Sequence, residues 1–140
     1  MKLSDAINRR FVVSMLAASV IGASGLAYAQ FRVGDADSVS LDTARQELEN
    51  GKAVVIDIRE PQEHAMGVAP GMRLLPMRQL TARISEIPAD PKQPVLLICN
   101  TQNRSSATLK YLREKGYTNV RFVQGGMSEW ARRAWPMVKP

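Results

Sequence analysis

The sequence predicts an α/β fold: a central, mostly parallel sheet with helices on both faces. Short β-branched apolar runs such as "AVVIDI" have the character of buried parallel strands. Amphipathic stretches closed by glycine lie between them, as in "LDTARQELENGK". Strand and helix patterns also alternate along the chain, which calls for crossover connections and therefore parallel pairing. Neither an internal repeat nor a low-complexity tract interrupts the pattern.

The elements follow in order. Residues 30–38 are polar and contain Gly and Asp, as expected of a flexible lead-in. The first helix is predicted where Leu41, Ala44 and Leu48 recur at helical spacing, with Asp42 near its start and Gly51 as its stop. "AVVIDI" is the first core strand, and the Gly and Pro content of "REPQEHAMGVAPGM" predicts a loop. "RLLPM" reads as a short strand, and "LTARISEIP" as a helix ended by Pro88. "PVLLIC" is the most apolar strand. A helix beginning near Ser105 follows, with Ala107, Leu109, Tyr111 and Leu112 apolar and Gly116 as its cap. "NVRFV" is a strand, Gly125-Gly126 a turn, and "MSEWARRAW" the final helix. Trp130 and Trp135, at near-helical spacing, are expected to close the core.

Residues 1–29 do not read as part of this domain. A basic start ending at Arg9 and Arg10 leads into an uncharged stretch of small and apolar residues, and then into Ala27-Tyr28-Ala29. This is the pattern of an export signal cleaved after Ala29; the apolar stretch falls short of the roughly 20 residues of a spanning helix. The expectation is a periplasmic or otherwise exported protein without stable membrane insertion. The paired arginines match a twin-arginine signal only loosely, because Phe11 follows them at once, so the export route stays open. Cleavage removes Lys2, Arg9, Arg10 and Asp5 and lowers the formal charge from +6 to +4. The remaining excess is dispersed, with no basic run of five or more. That argues against nucleic-acid binding and leaves a mild attraction for small anions.

Cys99 is the only cysteine, so no internal disulfide is available. It stands at the carboxyl end of "PVLLIC", where parallel sheets place their ligands, and just ahead of a helix N-terminus. In "CNTQNRS" the backbone N–H groups can form an anion-holding nest, which with the helix dipole and Arg104 would lower the thiol pKa. The alternative is a buried cysteine acting as a small apolar side chain. Four residues separate Cys99 from Arg104, one fewer than in the C-x5-R loop of cysteine phosphatases, where the arginine position is here Ser105. The tighter loop suits a single terminal sulfur better than a phosphate.

Four segments in order resemble the rhodanese-like sulfurtransferases, over residues 39–140. "VVIDIREPQEH" is similar to that family's Asp-Val-Arg-Glu-Pro signature, and "HAMGVAPGM" to its aromatic-x3-His-Ile-Pro-Gly-Ala motif. "CNTQNRS" matches its six-residue catalytic loop, and "VQGGMSEWARRAWP" its closing Gly-Gly-x3-Trp motif. Departures occur at His64 (usually aromatic), Val68 (usually His), Met72 (usually Ala) and Gln102, where Gly is common.

The resemblance implies a double displacement at Cys99. A small anionic sulfur donor such as thiosulfate leaves a Cys99 persulfide, which cyanide, a thiol or a protein cysteine then discharges. Asn100, Thr101, Gln102, Asn103, Arg104 and Ser105 would form the persulfide loop, with Arg104 drawing in the donor. No metal or organic cofactor is implied. A persulfide carrier serving a partner protein is the competing reading. Asp57 and Arg59 are expected to support the loops as a strand-end ion pair. His64, as a lone histidine, reads as a surface or partly buried loop residue and not as a metal ligand.

Overall fold

The computed structural model describes residues 37–140. The expected export signal and nearly all of the lead-in lie outside the described residues. Strand β1 (Ser38–Val39) takes in the last lead-in residue and is followed by α1 (Leu41–Glu49), capped by the Ser40 side chain, which accepts from the Thr43 amide. Next come β2 (Val54–Asp57), α2 (Pro61–Ala65), β3 (Arg73–Leu74), β4 (Val95–Ile98), α3 (Asn103–Glu114), β5 (Val120–Val123) and α4 (Gly126–Arg132). The sheet order is β1-β5-β4-β2-β3 and every pairing is parallel. The α/β expectation holds. Central β4 is fully buried on both faces, which is why "PVLLIC" is uninterrupted by polar residues.

Alternation along the strands divides the core in two. Val55, Leu96, Ile98 and Val123 face α1 and α4, against Leu41, Ala44, Met127 and Trp130. Ile56, Val95, Leu97 and Val120 face α3, against Leu109 and Leu112. Cys99 continues this alternation, so its thiol packs on the α3 side. The two tryptophans close the α4 side as expected: Trp130 is buried and its ring meets Trp135 edge-on, with centroids 4.9 Å apart. Trp130 Nε1 donates to the Pro136 carbonyl at 2.9 Å.

Four expectations need correction. The segment after β2 is not all loop: it contains α2, nucleated by Pro61 in the first turn and by a reciprocal capping box between Glu60 and Glu63. His64 is therefore a buried helical residue. The stretch "LTARISEIP" is not an α-helix. Arg83 leaves helical geometry (φ −113°, ψ 18°), and two short 3-10 turns, Met77–Gln79 and Ile84–Glu86, deliver Leu80 and Ile87 to the core instead. Finally, α3 starts at Asn103, two residues early, so Asn103, Arg104 and Ser105 form its first turn and not the loop before it.

Candidate active site

Cys99 follows β4 directly and is 1% exposed. Its Sγ donates to Ser105 Oγ at 3.4 Å, and Ser105 Oγ in turn donates to the Gln102 carbonyl at 3.1 Å. The thiol thus sits beneath the first turn of α3. Asn100, Thr101, Gln102 and Asn103 are exposed above it.

The start of α4 fixes the direction of the loop. The Met127 amide donates to the Cys99 carbonyl at 2.8 Å, and the Ser128 amide to the Asn100 carbonyl at 2.9 Å. In a trans peptide the C=O and the next N–H point in opposite directions, and no peptide here is cis. The amides of Asn100 and Thr101 are therefore turned away from α4, toward the side on which the thiol packs. Among the described residues, no carbonyl or side chain accepts from the amides of residues 100–105. Those of Asn103, Arg104 and Ser105 are the free first-turn donors of α3. The result is a run of unengaged N–H donors in the loop that begins at Cys99, suited to holding a negative terminal atom.

Arg104 is not a free cation. Its Nη1 and Nη2 donate to Glu63 Oε2 and Oε1 at 2.7 and 2.6 Å, a bidentate fork joining α3 to α2. The Arg104 hydrogen bonds are the main reason that Glu63 titrates at about 2, with the Glu60 amide also contributing. Reciprocally, Glu63 raises the Arg104 pKa, and the nearby Cys99 adds to that shift.

Residues 40–133 match the rhodanese-like domain family. The chain belongs to that family. A sulfurtransferase of Allochromatium vinosum is 37% identical over 108 residues, covering 77% of this chain and 97% of that protein. A rhodanese-related protein from Thermoplasma volcanium superposes with a TM-score of 0.65 at 25% identity, over 74% of this chain and 99% of that one. The human single-domain sulfurtransferase gives a TM-score of 0.61, also at 25% identity, covering 69% and 96%.

Within this rhodanese-like domain, Asp57 and Arg59 form the expected ion pair. Arg59 Nε lies 3.0 Å from both Asp57 oxygens and Nη2 lies 2.7 Å from Oδ2. The pair is buried, and Arg59 Nη2 also donates to the Gly67 carbonyl at 2.8 Å. It braces the segment after α2 and makes no hydrogen bond to the Cys99 loop. His64, 5% exposed, places Nε2 3.4 Å from Asp57 Oδ1 without a hydrogen bond. Its burial corrects the surface reading.

Val68, at the usual histidine position, is buried and bridges Val138 in antiparallel fashion. Gln102 has φ −157°, outside the left-handed region, and its Oε1 accepts from the Gly125 amide at 3.4 Å. The loop therefore does not need glycine there. Sequence reasoning missed Glu63, whose signal was the E-P-x-E spacing of a capping box, and the contact between α4 and the loop.

Proposed function

We propose that the protein is a sulfurtransferase that moves a sulfane sulfur from thiosulfate or a similar donor to a thiophilic acceptor through a Cys99 persulfide. The observation that carries this reading is the run of unengaged loop amides following Cys99, with those of Asn100 and Thr101 turned away from α4 by its hydrogen bonds to the Cys99 and Asn100 carbonyls. In the first half-reaction the Cys99 thiolate bonds to the outer sulfur of thiosulfate. The donor's S–S bond breaks, and sulfite leaves with the electron pair. In the second, cyanide or a thiolate bonds to the outer persulfide sulfur and Cys99 leaves as thiolate. Loop amides hold the terminal sulfur throughout, a fixed electrostatic environment that no bulk solvent supplies.

Residues 1–29 would direct the chain out of the cytoplasm, with the mature protein beginning at Gln30. N-terminal sequencing of protein recovered from a periplasmic extract checks that step.

Incubation with thiosulfate followed by intact-mass measurement tests the chemistry. The expected result is a gain of one sulfur, lost on adding cyanide and absent in Cys99→Ser. No adduct from any sulfane donor overturns the reading. The pairing of Arg104 with Glu63 favours a second reading, a persulfide carrier that is loaded by a partner protein. A stable adduct combined with negligible turnover selects it.

A further inference from the structure

Six charged groups are linked around the Glu63–Arg104 fork, and their pairing has consequences for the donor. Glu63 holds Arg104 through both terminal nitrogens. Glu60 lies close enough to Arg104 to raise its pKa further, and is itself bonded to Arg78, with Nε 2.6 Å from Oε2. Arg59, which also acts on Glu63, is matched by Asp57. Three guanidinium groups thus meet three carboxylates, two of them from the capping box that opens α2. The chain as a whole carries a formal charge of +6, yet this cluster carries none. The loop amides therefore face an incoming anion beside an arginine whose fork is already taken, and an ionised carboxylate stands next to that arginine.

We propose that Glu63 is a specificity-determining residue that makes the site favour singly charged sulfane donors over dianionic ones. The inference rests on the sulfurtransferase reading and refines its donor class. A doubly charged donor meets the Glu63 carboxylate with twice the repulsion of a singly charged one, and it finds the Arg104 fork already occupied. A donor with an organic group in place of one sulfonate oxygen feels less repulsion and needs no fork.

Two donors separate the effect of charge from that of chemistry. Thiosulfate is a dianion; methanethiosulfonate is a monoanion that delivers the same outer sulfur, its leaving group being sulfinate instead of sulfite. The test compares kcat/KM for the two donors in wild type and Glu63→Gln. Gln keeps the shape, and its carbonyl still accepts from the Glu60 amide, so α2 retains its capping box. The ratio of kcat/KM for thiosulfate to that for methanethiosulfonate should rise about fivefold or more in the variant, through KM, and the rise should shrink at high ionic strength. Damage to the loop lowers both constants together and leaves the ratio unmoved. An unchanged or reduced ratio overturns the role of Glu63 while the sulfurtransferase reading stands. A wild-type protein that takes sulfur from neither donor overturns both.

Discussion

A Cβ atom on Gly126 would lie 2.3 Å from the carbonyl oxygen of Thr101 and 2.5 Å from those of Asn100 and Cys99. Gly126 also has φ +62°, a region that side chains rarely adopt. The loop therefore rests directly on backbone, with no side chain between. Gly126→Ala should cost about 3 kcal/mol of stability, in the range of combined backbone strain and overpacking, and should abolish sulfur loading of Cys99. Gly125→Ala shares the backbone strain (φ +81°), but its Cβ would meet only the flexible Glu129 side chain at 3.2 Å and not backbone, so it should cost less. Urea unfolding and intact mass read the two effects; equal losses in the two variants would contradict this account.

Asp57 and Arg59 are both buried, so removing one leaves the other's charge uncompensated. Arg59→Met should destabilise the fold by about 3–5 kcal/mol. The double variant Asp57→Asn with Arg59→Met should recover at least ~1 kcal/mol of that loss, because no bare charge remains. A double-mutant cycle by thermal or urea unfolding checks it, and strict additivity would count against the pair.

Glu63 supplies a pH signature. Its carboxyl is held at about 2 against an ordinary 4.5, chiefly by hydrogen bonds from Arg104. A pKa lowered on folding stabilises the folded state above the unfolded value. That contribution is lost as pH falls through the folded value. The stability gap between wild type and Glu63→Gln should therefore be full above about pH 4.5 and close toward pH 2. Urea midpoints across that range measure it; a gap that is independent of pH would remove the ion pair from the explanation.

Gln102 occupies a position where the resemblance suggested glycine, yet its backbone lies outside the left-handed region. Gln102→Gly therefore relieves no strain. It gives up the bond to the Gly125 amide and loosens the unfolded chain, so stability should fall by roughly 0.5–1 kcal/mol. A more stable variant would show that the observed backbone is strained after all.

The sequence displayed the sheet clearly because its strands are buried on both faces, and β-branched runs such as "AVVIDI" follow from that burial alone. The position of Cys99 was readable for the same reason: it ends the most apolar strand. Local pattern failed where two signals competed. Gly and Pro in "REPQEHAMGVAPGM" signalled loop, while Pro61 and the Glu60–Glu63 box start a helix of five residues. Ile84 and Ile87 were spaced as in a helix, but the backbone at Arg83 breaks it. Arg104 was recognisable as the loop arginine, but its partner lies 41 residues earlier and belongs to the helix that was missed. A tertiary pairing of that kind leaves no periodicity to detect.

The recessed position of Cys99 also governs what can reach it. Two copies cannot bring their sulfurs to the ~2 Å of a disulfide while each lies under its own helix turn, 1% exposed. An unpaired thiol is thereby shielded from dimerising oxidation without a reductant or a second cysteine. A sulfur added to Sγ extends the side chain by about 2 Å. On the proposed reading, the empty protein is sterically private, and only the charged cargo comes within reach of a large acceptor.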